Sequence, residues 1–335
     1  MASLLYDPHD PRLRTAGPTA RAAAETWHHA PDARRALQLV LAGIWLLDGV
    51  LQYQSFMFTR AFSQMLVGTA AGNPGVIAHP ITWAAGIIGD HPTPANAAFA
   101  TIQLLLGLGI AWRPTLKPAL ACSIAWSVAV WWLGEGLGGV LDGAANPFNG
   151  APGAVILYGL LAVLLWPARE PGPQDPIPSS LFVAERPVGP AAARALWVIL
   201  WGSLAYFAVV PSVGDNGLHD MIAGMEEGSN PKWLNALLRA GASAVAGRGE
   251  AISVALAVAL GLIALGVFLP PRLLRVTVIL AVLFSLAIWV FGEALGALFG
   301  GQGTDVNSGP LLILIAAAYW PLPHRQRLVQ PEERL

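Results

Sequence analysis

The chain has 335 residues, of which 55% are hydrophobic and only 12% are charged, and its formal net charge is −1. Together with a mean hydropathy of +0.56, this composition excludes an ordinary soluble domain and predicts a polytopic membrane protein. The near-neutral charge gives no indication of a nucleic-acid partner, and the single cysteine, Cys122, provides neither an internal disulfide nor a cysteine-rich metal site.

Eight apolar blocks follow a polar N-terminal tail, residues 1–33. We interpret each block as a transmembrane helix, because about 20 apolar residues cross the hydrocarbon core of a bilayer. The fourth and eighth blocks are short and must stand nearly upright or thin the bilayer locally. The sequence therefore predicts an all-α polytopic protein with eight spans, at 36–54, 96–112, 117–138, 151–167, 194–211, 251–269, 272–294 and 309–322.

The distribution of Lys and Arg predicts the orientation of these spans. With the N-terminus inside, fifteen basic residues fall on inner segments and four on outer ones (Arg60, Lys232, Arg239 and Arg248). Because inner loops of membrane proteins are enriched in Lys and Arg, we expect a multi-pass protein of the cell membrane with both termini in the cytoplasm.

An internal repeat organises the chain. Residues 117–152 and 275–310 match at a constant offset of 158, including "GEGLGG" against "GEALGA". The prediction is a first four-helix repeat at 34–167, a cytoplasmic linker at 168–190, a second repeat at 191–322 and a cytoplasmic tail at 323–335. Four spans is an even number, so both copies insert the same way up as parallel repeats.

The first outer segment of each repeat is long and semi-apolar. Residues 55–95 and 212–250 contain stretches such as "GVIAHPITWAAGII" and "KWLNALLRAGASAVAG". We expect amphipathic helices there, lying at the outer interface or folded over the bundle.

A carboxylate ends an apolar run in each repeat, and it has a serine and a tryptophan beneath it at helical spacing. These pairs predict an outward-facing polar pocket between the repeats that holds a ligand, a cation or a proton, with the serines and tryptophans as lining. The alternatives are that each carboxylate accepts hydrogen bonds from its own glycine-rich loop and that each tryptophan is a packing residue. The six residues are Ser127, Trp131, Glu135, Ser285, Trp289 and Glu293.

Asp48 lies inside the first apolar block, in "GIWLLDGVLQ". A carboxylate at that depth should face the bundle interior and either have a partner or be protonated. Its counterpart in the second repeat is Phe207, and Gln52 corresponds to Pro211, so one asymmetric site is expected rather than two equivalent ones. A helix–helix hydrogen bond is the alternative role for Asp48.

The outer loops hold weaker candidates. His79 and His91 lack the spacing of zinc ligands, and we expect interfacial polar residues there, with a metal or proton role on the periplasmic side as the alternative. Asn149, Asp305 and Asn307 suit turns and helix caps, although Asp305 and Asn307 with Glu293 could ligate a hard cation. The sequence thus predicts no metal site, and it leaves any cofactor open.

The stretch "RRALQLVLAGIWLLDGVLQ" at 34–52 resembles the first helix of DoxX-type membrane proteins, in which an Arg-started span precedes an outer loop and three further helices. The whole chain is also similar to uncharacterised polytopic membrane proteins of actinobacteria. The DoxX resemblance implies a four-helix fold, here duplicated, and an alternative function as a membrane oxidoreductase or a quinone-linked accessory subunit.

The chain contains no Walker, Rossmann, catalytic-triad or HExxH motif, which excludes ATP hydrolysis by this chain. The leading hypothesis is a membrane protein that handles a small ligand, ion or proton in its pocket, and whether it is an enzyme stays open. A scaffold subunit of a larger complex is a further alternative. The partners expected are the lipid bilayer and another membrane or periplasmic-side subunit.

Overall fold

The computed structural model describes residues 33–167, 181–210 and 214–322. Within these ranges all regular elements are helical and none is a strand, which confirms the all-α prediction. The N-terminal tail before residue 33, linker residues 168–180, Pro211 and the C-terminal tail lie outside the described residues.

Six α-helices form the described part of the first half, residues 33–167, and prolines mark several of their boundaries. Pro92 occupies the first turn of α4, where its missing N–H costs no hydrogen bond, and Arg113–Thr115 is the tight turn between α4 and α5. The helices are α1 (Ala33–Leu51), α2 (Arg60–Gly68), α3 (Gly75–Asp90), α4 (Pro92–Ala111), α5 (Leu116–Leu133) and α6 (Ala154–Leu164).

The second half follows the same order after a short helix, α7 (Glu185–Val188). Helix α12 continues into a π-helical turn, Ile288–Gly292. The helices are α8 (Pro190–Phe207), α9 (Gly214–Ala223), α10 (Lys232–Val245), α11 (Gly249–Leu265), α12 (Pro271–Ala287) and α13 (Ser308–Ala318).

Four helical stretches in the described part of the chain are long and apolar enough to cross a membrane. They coincide with the second, third, sixth and seventh predicted blocks, and their outward faces expose large apolar side chains such as Leu105, Val258 and Leu283. The described residues therefore contain four candidate membrane-spanning helices, at Pro92–Ala111, Arg113–Leu133, Gly249–Phe268 and Pro271–Gly292.

The helices α6 and α13 are too short to cross a bilayer alone. Each has 11 residues, which is about 16 Å at 1.5 Å per residue. They pack against each other, α6 also packs on α5, and α13 also packs on α12 and α1. Leu157, Leu161, Leu312 and Ile315 are buried, so this pair forms the centre of the main core.

The remaining helices pair alike in the two halves. Helix α1 packs on α4, and α8 packs on α11. The predicted outer helices are present as two hairpins, α2 with α3 and α9 with α10. Each hairpin has a small apolar core of its own, around Phe62 and Ala85 in the first and around Leu218 and Leu238 in the second.

One end of the bundle is tied by basic side chains. Arg34 donates to the carbonyl oxygen of Val183 at 3.1 Å, and Arg35 donates to that of Ile110, near the end of α4, at 3.0 Å. A cation stabilises the carbonyl-rich end of a helix. Phe182 is fully buried, so the last part of the predicted linker, residues 181–188, packs onto this end of the protein.

A left-handed turn follows α5 and another follows α12, and both end the helix before the predicted boundary of the span. The predicted third and seventh spans ran to 138 and 294, whereas the helices stop at Leu133 and Gly292. Four consecutive residues in each turn have positive φ, at Gly136 (56°), Leu137 (60°), Gly138 (64°) and Gly139 (73°), and at Ala294 (41°), Leu295 (60°), Gly296 (74°) and Ala297 (51°).

Candidate functional site

A cavity of about 330 Å³ lies in the first half of the molecule. Its walls come from helices α1 to α6, and Thr304 and Asp305 of the second half contribute to one end. Most of the surface is aromatic or aliphatic, and the exposed side chains of Met65, Trp83 and Ile87 form an apolar mouth. The polar lining consists of Asp48, Gln52, Gln103, Glu135, Tyr158, Thr304 and Asp305.

Asp48 is 1% exposed and forms part of this polar lining. The hydroxyl of Tyr158 donates to its Oδ2 atom, and the backbone N–H of Val306 donates to its Oδ1 atom at 3.3 Å. Trp45 packs on Tyr158 with their ring centroids 4.2 Å apart. Asp48 thus has the interior position and the partner that the sequence predicted for it.

Glu135 follows the end of α5 and reaches the first turn of α6. Its carboxylate accepts a hydrogen bond from the N–H of Val155 at 3.0 Å, in the location where an anion stabilises a helix N-terminus. Burial, followed by the negative charge of Asp305, raises the pKa of Glu135 to about 8. Since Glu135 lines the cavity, it can hold a proton or pair with a cation there.

Gly153 allows this approach. It has φ of 107°, and a Cβ atom placed on it would lie 2.4 Å from Oε2 of Glu135. Trp131 supports the same loop by donating from Nε1 to the carbonyl oxygen of Pro152 at 2.6 Å. A side chain at residue 153 would therefore displace the carboxylate.

Glu293 forms the corresponding arrangement in the second half. It accepts hydrogen bonds from the N–H of Gly309 at 3.0 Å and from the N–H of Ser308 at 3.2 Å, and the Ser308 hydroxyl also donates to it. Burial raises the pKa of Glu293 to about 7, although the hydroxyl of Ser308 and the N–H of Gly309 lower it. Glu293 does not line the cavity.

Both glutamates thus bond to the helix that comes after their loop. The sequence offered a glycine-loop tie as the alternative to ligand binding, and the observed partners are instead in the first turns of α6 and α13 or just before them. The cavity includes Glu135 without Glu293, so its position differs from a pocket placed symmetrically between the two glutamates.

Asp305 brings a third carboxyl group to the cavity. It accepts hydrogen bonds from the hydroxyl of Thr304 at 2.8 Å and from the N–H of Asn307 at 2.7 Å. Burial raises the pKa of Asp305 above its usual value, and these two hydrogen bonds oppose the rise. The acidic end of the cavity is therefore formed by both halves of the chain.

Gln52 is 3% exposed and lines the same end of the cavity. Its Nε2 atom donates to the carbonyl oxygen of Thr304 at 3.1 Å, and its own backbone oxygen accepts from Asn96 at 2.6 Å. Its Oε1 atom accepts no hydrogen bond from the described residues, and the same holds for Oε1 of Gln103. A buried acceptor without a donor is costly, so these two oxygens are candidate contacts for a bound molecule.

The predicted lining serines and tryptophans lie elsewhere. Ser127 and Ser285 are fully buried, and the hydroxyl of Ser285 donates to the carbonyl oxygen of Ala281 at 2.8 Å. Trp289, like Trp131, holds a loop, through a 2.9 Å bond from Nε1 to the carbonyl oxygen of Val306. None of these four residues lines the cavity.

The outer-loop candidates have local roles. Asn149 accepts from the N–H of Asn146 at 2.8 Å, and Asn307 caps α13 by accepting from the N–H of Ser308 at 2.8 Å. His79 and His91 are exposed and lie away from the cavity. Within residues 33–167, 181–210 and 214–322 no group of three or more His, Cys, Asp or Glu side chains could hold a metal ion.

Several lining residues were not predicted from the sequence. Tyr158 and Gln103 could have been found from the sequence, because each is the lone polar side chain in an apolar run, "AVILYGLLAVL" and "IQLLLG". No sequence pattern indicated Thr304, since its position in the cavity depends on how a distant loop folds back onto the first half.

The chain matches no protein-family model, and no curated protein or solved structure shows significant similarity to it. The DoxX resemblance of the first helix therefore stays a prediction.

Proposed function

We propose that this chain is an eight-span membrane protein made of two parallel four-helix repeats, and that it binds a small molecule in its cavity without ATP hydrolysis. The observation that carries the proposal is the cavity itself, about 330 Å³ in volume, with an apolar body and three carboxyl groups at one end. Protein interiors are close-packed, and cavities of about 300 Å³ or more with a few converging polar groups are typical of ligand sites.

Two observations support the repeat. The left-handed turns after α5 and α12 have positive φ at four consecutive residues each, and these residues correspond at the offset of 158 found in the sequence. A run of left-handed residues is rare, because it costs about 1–2 kcal/mol for each residue other than glycine. In addition, Glu135 and Glu293 both bond to the start of the following short helix.

The packing also supports eight spans. Helices α1 and α8 lie alongside the candidate spans α4 and α11. Helices α6 and α13 are short, but they are enclosed by protein. Of the loops that precede them, the second places Val306 in the main core, and the first places Ala145 and Ala151 in a smaller apolar cluster with Phe207. Irregular backbone is tolerated at membrane depth where protein rather than lipid surrounds it.

The orientation follows from charge. Arg34 and Arg35 lie at the start of α1, and Arg35 bonds to the end of α4 next to the turn that contains Arg113. Because basic residues are enriched on the cytoplasmic side, we assign this end to the cytoplasm. The carboxyl end of the cavity then belongs to the outer half of the protein.

The cavity favours ligand binding over the scaffold alternative, which expects a filled interior. The position of the cavity also divides the carboxyl groups into one with a structural role and three that a ligand can contact. Glu293 lies outside the cavity and bonds to Ser308 and Gly309, as a structural residue would. Asp48, Glu135 and Asp305 have comparable bonds and in addition line the cavity, where a ligand can reach them.

A blocking variant tests the proposal. Ala129 of α5 is exposed and lines the cavity, whereas Ala125, one turn earlier, is exposed and does not. We expect 5-phenyl-1-pentanol to raise the melting temperature of the purified full chain in a concentration-dependent way. Ala129→Trp should abolish this rise and Ala125→Trp should keep it. An unchanged melting temperature in the wild type, or an equal rise in both variants, contradicts binding in this cavity.

A further inference from the structure

We propose that the molecule bound in the cavity carries a protonated amine at one end, which the carboxyl groups hold, and an aromatic or aliphatic body. This inference rests on the ligand-binding function proposed above and specifies its substrate class. The argument depends on which hydrogen-bonding atoms of the polar lining are already used.

Three donors of the polar lining are engaged. The hydroxyl of Tyr158 donates to Asp48, that of Thr304 donates to Asp305 at 2.8 Å, and Nε2 of Gln52 donates to the carbonyl oxygen of Thr304 at 3.1 Å. A ligand that offers only acceptors, such as a quinone or a ketone, finds no free donor among these groups.

The acceptors, in contrast, are in excess. Oε1 of Gln52 is buried and has no donor in the described part of the chain, and neither has Oε1 of Gln103. The Nε2 bond to Thr304 fixes the Gln52 amide, so its Oε1 atom is the free end. Each carboxylate accepts about four hydrogen bonds when ionised, and Asp48 receives two. The site thus fits a group with several N–H donors.

Charge selects among the donor groups. Three carboxyl groups line the cavity, and no Lys or Arg side chain of the described residues does. An anionic ligand would be repelled, while a cation would neutralise carboxylates that are otherwise removed from water. An ammonium group meets both the charge and the donor requirement, and a hydroxyl group meets only the second.

The rest of the cavity fits the organic part of such a molecule. Phe99 and Trp126 lie in the wall with their ring centroids 5.7 Å apart, and Trp45 lies beside Asp48. Aromatic faces attract cations and bind apolar groups. Because the mouth is apolar, we infer that the molecule reaches the cavity from the membrane interface, where lipophilic amines accumulate.

Three matched compounds test the inference on the purified full chain in detergent, by isothermal titration calorimetry. We expect 5-phenylpentylamine to bind at least about tenfold more tightly than its neutral analogue 5-phenyl-1-pentanol, since a hydrogen bond to a charged group exceeds a neutral one by this order. The anion 5-phenylpentanoate should not bind. Equal affinity of amine and alcohol, or tighter binding of decylubiquinone, overturns the amine assignment and leaves the cavity proposal standing. Binding of none of the compounds overturns both.

Substitutions at Asp48 and at Gln103 test which side chains hold the amine. Asp48→Asn should remove at least about tenfold of amine affinity while changing alcohol affinity little, and Asp220→Asn, at an exposed carboxylate of α9, should change neither. Gln103→Leu removes a free acceptor without breaking a described hydrogen bond, so it serves if Asp48→Asn does not fold, and it should weaken the amine preference. If Asp48→Asn or Gln103→Leu folds and keeps the full preference for the amine over the alcohol, the amine assignment is contradicted.

Discussion

The hydroxyl of Tyr158 donates a hydrogen bond to Asp48, a residue 110 positions earlier in the chain. Both side chains are 1% exposed. Because the other oxygen of Asp48 accepts from the N–H of Val306, one carboxylate joins α1, α6 and a loop of the second half. This junction forms the floor of the cavity, so its loss should lower the free energy of unfolding as well as the affinity for a ligand.

Replacement of Tyr158 by phenylalanine tests the junction. The ring still packs on Trp45, but Asp48 loses a donor, and a buried charged acceptor left unsatisfied costs about 1–3 kcal/mol. We expect Tyr158→Phe to lower the free energy of unfolding by that amount in denaturant titrations. Tyr206→Phe is the control, because Tyr206 is 58% exposed, and it should have almost no effect. Equal stability of the two variants would show that the Tyr158 bond is not important.

Stability should depend on pH through Glu135. In the folded protein its pKa is about 8, against an ordinary value of 4.5, so the folded state holds a proton that the unfolded state releases. Stability must then fall as pH rises from 4.5 towards 8. Glu293 adds to this fall only up to its own pKa of about 7.

We therefore expect Glu135→Gln to match the wild type near pH 5 and to exceed it in melting temperature at pH 8. The Gln side chain keeps an oxygen for the N–H of Val155 and carries no charge to bury. Glu250→Gln, at an exposed residue in the first turn of α11, should leave the wild-type pH profile unchanged. A profile that Glu135→Gln does not flatten disproves the raised pKa.

The left-handed turn of the second half should be stabilised by glycine. Ala297 has φ of 51° and stands where the first half has Gly139, with φ of 73°. Since a side chain costs about 1–2 kcal/mol in this conformation, Ala297→Gly should raise the free energy of unfolding by about 1 kcal/mol. Gly139→Ala should lower it.

A helical site provides the control for this pair. Ala255→Gly, at an exposed position of α11, should lower stability by about 1 kcal/mol, because glycine is unfavourable inside helices. If Ala297→Gly also destabilises the protein, the turn is not left-handed in solution.

The proposed orientation can be tested with single cysteines in a Cys122→Ser background. Ala144 is exposed in the loop between α5 and α6, and Arg113 is exposed in the turn between α4 and α5. A membrane-impermeant maleimide should label Ala144→Cys on intact cells and should label Arg113→Cys only after permeabilisation. The opposite labelling pattern reverses the assignment of both ends.

Composition and periodicity were enough to predict the helical architecture, and three residues that the sequence singled out, Asp48, Glu135 and Asp305, line the cavity. The depth of Asp48 in an apolar run required a partner and an interior position, and the structure places it in the cavity with Tyr158. The internal repeat predicted that Glu293 corresponds to Glu135. Both carboxylates accept a hydrogen bond from an N–H group in the first turn of the following helix.

Other features depend on contacts that spacing does not encode. The span predicted at 151–167 is an 11-residue helix, because residues 151–153 belong to the preceding loop and residues 165–167 follow the end of the helix. The bond from the N–H of Val155 to Glu135 likewise depends on how this loop folds. The contribution of Thr304 and Asp305 to a cavity of the first half could not be predicted, since it arises from packing between residues about 250 positions apart.

The hydrogen bond from Gln52 to the carbonyl oxygen of Thr304 bears on how the site evolved. The cavity is lined mainly by the first half, yet part of its floor comes from a loop of the second, and the second half has Phe207 in place of Asp48. Under the proposed duplication, an ancestral four-helix unit standing alone lacked that part of the floor. The site in its present form then required two copies, as a dimer or in one chain, with one copy supporting the site of the other.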